Sequence, residues 1–243
     1  MRAAVISDVH ANYHALEAVL GAVDDESPDE FWCLGDLVGY GPQPNECVAR
    51  VAPLADVCLA GNHDLAVLGA ISVDDFSGDA AAAARWTQRA LGDDARAFLE
   101  RLSPTAERAR TQLFHGSPRD PVWDYVLSVE SAYWSFRATT APLVLVGHSH
   151  IALALSSGGG DDLDGDVAPA GTEVALDGRR WLLNPGSVGQ PRDGDPRAAW
   201  LLIDFDAGRA AFRRVPYPVE RTQAEIRERG LPESLAARLA EGI

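Results

Sequence analysis

Five short apolar runs in this chain each end in a cluster of Asp, Asn or His. The clusters are Asp8-Val9-His10, Gly35-Asp36, Gly61-Asn62-His63-Asp64, His115-Gly116 and Gly147-His148-Ser149-His150. The runs before them are short enough for strands and cover residues 3–6, 31–34, 57–60, 112–114 and 143–146. Segments 13–23 and 42–51, between the first three runs, have the apolar spacing or the initial proline typical of helices. This alternation predicts βαβ units, a largely parallel sheet and an α/β fold class.

The rest of the chain is predicted to add helices first and antiparallel strands later. Residues 65–110 are Ala-rich and predicted to be helical, and residues 120–136 form a loop and a helix rich in aromatics. Antiparallel strands are predicted at 151–156, 173–176, 180–183, 198–206 and 209–215, with a Gly/Asp-rich hairpin tip at 158–166. Residues 222–241 form one charged helix, or two short ones broken around Gly230-Leu231-Pro232. We expect a single domain over 1–243, with a helical insertion at about 65–110 and a C-terminal helical tail at about 218–243.

The five clusters share a position in the predicted sheet as well as a composition. Each follows a strand, so all five emerge at carboxyl ends of strands, where open α/β sheets place their active sites. Five of the six histidines lie in these clusters, and only His14 in the first helix lies outside them. With Asp8, Asp36 and Asn62 they form a set of nitrogen and oxygen ligands without a thiolate. Such a set suits Mn²⁺, Fe²⁺/Fe³⁺, Zn²⁺ or Co²⁺.

Spacing within the clusters supports a metal site. Asp8 and His10 are two residues apart, as are His148 and His150, and on extended chain such pairs share one face. A carboxylate can bridge two metal ions, and ions roughly 3.5–4 Å apart can clamp the attacking and leaving oxygens of an in-line displacement. They also lower the pKa of a bound water, so that hydroxide exists near neutral pH. The chemistry that this arrangement suits is attack on phosphorus.

The five motifs, in this order, resemble those of the calcineurin-like metallophosphoesterases over about residues 1–215. The resemblance implies two stacked mixed β-sheets flanked by helices. It implies a first metal bound by Asp8, His10 and His150, and a second bound by Asn62, His115 and His148, with Asp36 bridging both. His63 would be the general acid that protonates the leaving oxygen and stabilises charge on the phosphoryl group. Asp64 would orient His63.

A later segment, Asn184-Pro185-Gly186-Ser187-Val188-Gly189-Gln190-Pro191-Arg192, resembles the small bacterial and archaeal phosphodiesterases of this superfamily, the YfcE-like group. In that group an NPGS loop follows a late strand and sits near the metals. The planar guanidinium of Arg192 suits bidentate pairing with a substrate phosphate, and a surface salt bridge is the alternative. Arg192, Asn62 and His63 are therefore the candidates for contact with substrate.

Several side chains near the motifs have a structural and a functional interpretation. Asn12 is predicted to cap the first helix rather than to contact substrate. Tyr40 either lines the site or lies outside it. The aromatic residues of the 120–136 segment either stack a nucleobase or form core, a lid or a dimer surface, and they are Trp123, Tyr125, Tyr133, Trp134 and Phe136.

Composition restricts the partners and the compartment. The formal net charge is −15, and all 21 basic residues are arginine. A surface with this much negative charge repels the phosphates of nucleic-acid backbones, so no nucleic-acid groove is expected. High-GC coding and a salt-rich cytoplasm both explain the absence of lysine. No apolar run has the length of a membrane span, and the opening MRAAVISDVH lacks a signal-peptide core, so cytoplasmic residence is expected.

The predicted function is hydrolysis of small phosphoesters with two divalent metal ions as cofactors. Mn²⁺ is the first expectation for the metal, with Fe, Zn, Ni or Co as alternatives. A phosphodiester is the first expectation for the substrate. Other enzyme hypotheses are a phosphomonoester or protein phosphatase and a dinucleoside polyphosphate pyrophosphohydrolase. A non-catalytic scaffold of the same fold is the hypothesis from a different class, and a homo-oligomer remains open.

Overall fold

The computed structural model describes residues 1–160 and 162–243. The strands are β1 (Arg2–Ile6), β2 (Glu30–Cys33), β3 (Val57–Cys58), β4 (Thr105–Arg108), β5 (Thr111–Phe114), β6 (Leu143–Leu145), β7 (Ala152–Gly159), β8 (Asp162–Val167), β9 (Glu173–Ala175), β10 (Arg180–Pro185), β11 (Ala198–Asp204) and β12 (Arg209–Val215). They form two six-stranded mixed sheets, with the orders β3-β2-β1-β11-β12-β9 and β4-β5-β6-β10-β7-β8. The predicted two-sheet fold is therefore confirmed.

Helices cover the outer faces of the sheets. They are α1 (Tyr13–Glu26), α2 (Pro44–Val51), α3 (Asn62–Leu68), α4 (Gly78–Ala90), α5 (Asp93–Leu99), α6 (Val129–Ala138), α7 (Val219–Glu228) and α8 (Glu233–Ala237). The second helix begins at Pro44 rather than Pro42, because Pro44 occupies the first helical turn, where a missing N–H costs nothing. None of the helices in the described ranges is both long and apolar enough to cross a membrane.

Alternation along the strands builds the core on both sides of the first sheet. In β1, Ala3 and Val5 face the second sheet, whereas Ala4 and Ile6 face the cluster that includes α1 and α2. The cluster between the sheets also takes Leu113, Leu145 and Leu183 from the second sheet. On the far side of the second sheet, Phe136 of α6 packs in a separate apolar cluster. The result is four layers, with the two sheets in the middle.

Strand directions agree with the predicted βαβ units at the start of the chain. β1, β2 and β3 are parallel neighbours. The later strands are not all antiparallel, because β10 runs parallel to β6 and antiparallel to β7. The second sheet is therefore mixed at its centre.

Two predicted segments were wrong in part. Residues 105–108 are not helical: they form β4, an edge strand antiparallel to β5. Its sequence, TAER, has no alternation of apolar and polar side chains for a sequence pattern to detect. Most of the predicted hairpin tip at 158–166 is also strand, since Asp162–Val167 pairs with β7.

The C-terminal segment forms two helices, α7 and α8, rather than one. Ile226, Leu235 and Leu239 of this tail pack against Ala83 of α4, with Tyr40 at the edge of the same cluster. The tail therefore reaches the end of the sheets at which the Asp/His clusters lie. The division of the chain into one domain with an insertion and a tail stays a prediction.

Candidate metal centre

The five clusters meet at one end of the molecule, where strands of both sheets finish. Asp8 and His10 follow β1, and Asp36 follows β2. Asn62 and His63 open α3 just after β3, in the same sheet. The remaining histidines follow β5 and β6 of the second sheet, and they are His115, His148 and His150. All eight side chains are buried, with at most 3% of their surface exposed.

Backbone strain is concentrated in these loops. Asp8, His10, Asp36, His148 and His150 all have left-handed backbone conformations, with φ between 49° and 64°. The expectation that the i, i+2 pairs lie on extended chain was therefore wrong. The chain leaves each strand before the polar cluster and turns sharply, and hydrogen bonds such as Asp8 N–H to Gly35 O (3.0 Å) and His10 N–H to Asp36 O (2.9 Å) hold the turns. Non-glycine residues in this region are uncommon and are found at functional sites.

Asp8, His10 and His150 form the first group of potential ligands, with donor atoms within 4.8 Å of one another. Nδ1 of His10 faces Val38 O at 3.2 Å, and Nδ1 of His150 faces Gln190 O at 2.6 Å. Because a carbonyl only accepts, each Nδ1 carries the proton and each Nε2 presents a lone pair. The two Nε2 atoms face each other at 2.9 Å. Burial lowers the pKa of both imidazoles, which makes both neutral at pH 7. Two facing lone pairs fit a shared cation.

Asp36, His115 and His148 form the second group. Nδ1 of His115 faces Leu34 O at 2.9 Å, and its Nε2 lies 3.1 Å from the side-chain oxygen of Asn62. Burial is the largest single influence on the pKa of His115 and lowers it, but the carboxylates of Asp36 and Asp8 and the Leu34 carbonyl together raise the pKa to about 9. Burial lowers the pKa of His148 to about 3. The second group therefore adds an amide oxygen to two imidazoles and a carboxylate.

Asp36 lies between the two groups. Its Oδ2 is 3.6 Å from Nε2 of His10 and 3.4 Å from Nε2 of His115. Among the seven candidate ligands, three buried atoms have no hydrogen-bond partner within the described residues: Asp36 Oδ2, Asp8 Oδ1 and His148 Nε2. Buried polar atoms are rarely left unpaired. An inward-facing set of unpaired carboxylate and imidazole atoms fits divalent metal ions.

His63 lies beside this centre and forms a third group with His10 and Asp36. Its ring packs between Tyr40 (4.4 Å between centroids) and Phe76 (4.8 Å). Burial lowers the pKa of His63 to about 4. Its Nδ1 has no hydrogen-bond partner in the described part of the chain. The imidazole of His63 therefore lies against the centre, held by ring packing rather than by a hydrogen bond at Nδ1.

Asp64 does not orient His63 through a hydrogen bond, contrary to what the resemblance implied. Its carboxylate accepts the backbone N–H groups of Leu37 (3.3 Å), Val38 (3.1 Å) and Gly61 (3.0 Å). Burial raises the pKa of Asp64 to about 7 in spite of two of these donors. The side chain therefore ties the loop after Asp36 to the start of α3.

The NPGS segment supports the loops that carry the site. The Asn184 amide donates to Gly147 O (2.7 Å) and Ser149 Oγ (2.9 Å), next to the histidines of the fifth motif. The Ser187 hydroxyl donates to Asp8 O at 2.7 Å. The predicted position of this loop near the centre is confirmed.

Arg192, at the end of that segment, lies beside the centre. Its backbone N–H donates to His150 O at 3.2 Å, and its guanidinium donates to Gln190 Oε1 (2.8 Å) and Tyr40 Oη (3.4 Å). No carboxylate among the described residues forms a salt bridge with Arg192, so the alternative of a surface salt bridge is not observed. Tyr40 lines the site, with its ring 4.6 Å from that of His10. Asn12 caps α1 as predicted, since its Oδ1 accepts Ala15 N–H.

Two of the five predicted aromatic residues reach the centre. Tyr125 stacks on His148, with centroids 4.0 Å apart and 14° between the planes. Trp123 contacts Phe76, which in turn contacts His63. Tyr133 and Trp134 pack on each other instead, and Phe136 is core. Phe76 and Arg238 were missed because no sequence motif marks them. Gln190, whose Oε1 accepts from the Arg238 guanidinium, lies within the NPGS segment but was not singled out there.

Known proteins resemble the chain at several levels. Over 71 residues, 28% of the chain, it is 39% identical to a symmetrical bis(5′-nucleosyl)-tetraphosphatase of Edwardsiella ictaluri, and this stretch covers 25% of that relative. Protein MJ0912 of Methanocaldococcus jannaschii is 35% identical over 247 residues, which cover 98% of this chain and 97% of that protein. The crystal structure of a metallophosphoesterase from Sphaerobacter thermophilus matches with a TM-score of 0.89 and 42% identity, over 100% of both chains.

The family comparison covers most of the chain. Residues 1–208 match the calcineurin-like phosphoesterase superfamily domain. This matched region contains all five motifs and the NPGS segment. The resemblance predicted from the motifs is confirmed at the level of the superfamily. The chain therefore belongs to the calcineurin-like phosphoesterase superfamily and, as a member, is a hydrolase that acts on phosphoesters.

Proposed function

We propose that the chain hydrolyses small phosphodiesters with two divalent metal ions, Mn²⁺ first among them. Asp8, His10 and His150 would hold one ion, and Asn62, His115 and His148 the other, with Asp36 shared. The observation that carries the proposal is the position of Asp36 Oδ2. This oxygen has no hydrogen-bond partner in the described part of the chain and lies within 3.6 Å of imidazole nitrogens from both groups. Bound there, the ions would supply Lewis-acid polarisation of the phosphoryl group and activation of water.

The protein's own groups divide the remaining work. Backbone carbonyls fix the Nδ1 protons of His10, His115 and His150, so that each Nε2 faces inwards. Arg192 would bind a phosphate group of the substrate, because its planar fork donates two parallel hydrogen bonds. Asn62 would contact the phosphoryl group under attack from the start of α3. These contacts orient the phosphorus before any bond breaks.

His63 would act as the general acid. With a pKa of about 4 its imidazole is neutral at pH 7. An anionic phosphoryl group beside the ring favours the imidazolium and raises that pKa. The proton would then be available to the leaving oxygen only when substrate is bound.

The surroundings of the centre favour a small substrate. Phe76, Trp123 and Tyr125 line one side, and Tyr40 and Arg192 line another. An aromatic side suits an apolar or planar substituent, and the arginine side suits a charged one. Two substituents flanking one phosphorus are what a diester presents.

Purified protein with Mn²⁺ and bis-p-nitrophenyl phosphate tests the proposal, with p-nitrophenyl phosphate as the monoester comparison. We expect diesterase activity that Asp36→Asn and His63→Ala each reduce strongly. Asp25→Asn, an exposed change in α1, is the matched control and should retain activity. If no divalent metal supports activity, or if both variants remain as active as the wild type, the assignment is wrong. Metal content well under one ion per chain after reconstitution would favour the scaffold hypothesis.

A dinucleoside polyphosphate is the second candidate substrate. The observation in its favour is the similarity of one stretch of the chain to bis(5′-nucleosyl)-tetraphosphatases. That stretch is short, so the substrate of those proteins is a hypothesis here. Product analysis on diadenosine tetraphosphate, compared with monoester, diester and phosphopeptide panels, separates this candidate from a phosphatase.

A further inference from the structure

Two arginines from distant parts of the chain meet at one side chain beside the centre. Arg192 Nη2 donates to Gln190 Oε1 at 2.8 Å, and Arg238 Nη1 donates to the same oxygen at 3.2 Å. In each arginine, Nε is buried and has no partner among the described residues. Within the described residues, the acceptor that the two cations share is a neutral amide. By contrast Arg214, which packs on the same loop, is paired with the carboxylate of Asp193.

This arginine pair lies one side chain away from the proposed metal ligands. The guanidinium of Arg192 lies over the ring of Tyr40, 5.7 Å from its centroid. The same ring contacts His10 and His63, at 4.6 and 4.4 Å. Gln190, the shared acceptor, also holds His150 through its backbone carbonyl. A phosphate beside the pair would therefore be a close neighbour of the phosphorus under attack.

The C-terminal tail holds Arg238 in place. Thr222 Oγ1 donates to Asn12 Oδ1 at 2.9 Å, and Leu235 and Leu239 are buried in the cluster against α4. At the far end, Gly194 N–H donates to Gly242 O at 2.9 Å, which ties the chain terminus to the loop of Arg192. The second cation is therefore part of a packed element and not a mobile surface side chain.

Two adjacent guanidinium groups, each with an Nε–H that no described residue accepts, match an anion that carries more than one charge. The single charge of a simple phosphodiester would already be engaged at the metal centre. We propose that Arg192 and Arg238 bind a second phosphate attached to the one that is hydrolysed, so that the preferred substrates are polyphosphate esters such as dinucleoside polyphosphates. This inference rests on the proposed phosphohydrolase function of the neighbouring centre.

The test compares two substrates on the full-length, Mn²⁺-loaded protein. We measure kcat/KM for diadenosine tetraphosphate and for bis-p-nitrophenyl phosphate, and we take the ratio. Arg238→Gln should lower that ratio roughly ten- to hundredfold, the effect of losing a charge-assisted hydrogen bond to phosphate. Arg238→Lys, which keeps the charge but not the planar fork, should lower it less. Arg229→Gln, an exposed arginine of the same tail, is the matched control and should leave the ratio unchanged.

Calorimetric binding of tripolyphosphate and of inorganic phosphate, with Mn²⁺ in excess, gives a second readout that does not need turnover. We expect tripolyphosphate to bind the wild type more tightly than phosphate, and Arg238→Gln to remove that preference. If both substrates are hydrolysed and Arg238→Gln leaves the ratio unchanged while remaining folded, the second phosphate site is wrong and the proposed function stands. If neither substrate is hydrolysed but the binding preference depends on Arg238, the proposed function fails and the phosphate site stands.

Discussion

The carboxylate of Asp36 accepts the backbone N–H of His63 through Oδ1, at 2.8 Å, while its Oδ2 points between His10 and His115 without a partner in the described residues. One oxygen thus anchors the first turn of α3, and the other is available to a cation. The proposed shared ligand and the proposed general acid are therefore mechanically connected. A change at Asp36 affects metal binding and the position of His63 together.

Replacement of Asp36 by Asn separates these two tasks. The amide oxygen can still accept the His63 N–H, but the amide nitrogen cannot act as an anionic ligand. We expect Mn²⁺ affinity to fall by at least about a hundredfold, since even outer contacts of metal ligands account for 10–100-fold. Titration calorimetry with Mn²⁺ measures this, and Asp25→Asn is the control. If Asp36→Asn binds Mn²⁺ as tightly as the wild type, Asp36 is not a metal ligand.

Replacement of Gly61 by Ala should displace the Asp36 loop and destabilise the protein. A Cβ at this position would overlap Asp36 Oδ1 and the Asp36 backbone nitrogen. Neither atom can move without displacing the loop, so we expect a loss of about 1–3 kcal/mol in the free energy of unfolding, as for other overpacked sites. Urea unfolding of the metal-free protein measures it. Gly21→Ala in α1 is the matched control, because its Cβ would meet nothing within 4 Å, and it should be neutral or stabilising by about 0.5–1 kcal/mol.

The buried His63 should make the metal-free protein less stable in acid. Burial lowers its pKa from 6.5 to about 4 in the folded state. Between these values the unfolded chain binds a proton that the folded chain excludes, so stability falls as the pH is lowered from 6.5 towards 4. The loss relative to His63→Gln should approach about 1.4 kcal/mol per pH unit. Urea unfolding of both proteins after EDTA treatment, from pH 7.5 to 5, gives this difference. Parallel stability curves would contradict a buried neutral imidazole at this position.

Stacking of Tyr125 on His148 should matter for substrates with a planar group. Removal of the ring in Tyr125→Ala should raise the KM for bis-p-nitrophenyl phosphate roughly 2- to 10-fold, the range expected for one aromatic contact. Tyr125→Phe keeps the ring and should stay near the wild-type value. Tyr133→Ala provides the control, because Tyr133 packs on Trp134 rather than on the site histidines. An equal KM for all four proteins would show that the substrate does not use this side of the centre.

Short apolar runs in the sequence were sufficient to predict the strands that lead to the site. The apolar runs before Asp8, Asp36, Asn62, His115 and His148 are strands or lead directly out of them, because short buried strands need continuous apolar side chains. β4 was missed for the opposite reason: it is a partly exposed edge strand whose pairing with β5 depends on backbone hydrogen bonds and not on side-chain alternation.

By itself the sequence determined which residues gather at the carboxyl ends of strands and which chemical groups they bring. It also identified the superfamily, since five motifs in order carry that information. Only the tertiary structure decided the left-handed turns at Asp8 and His10, the attachment of Asp64 to backbone N–H groups, and the meeting of Arg238 with Gln190. Those features depend on hydrogen bonds and packing between segments far apart in the chain, and a local sequence pattern contains no information about such partners.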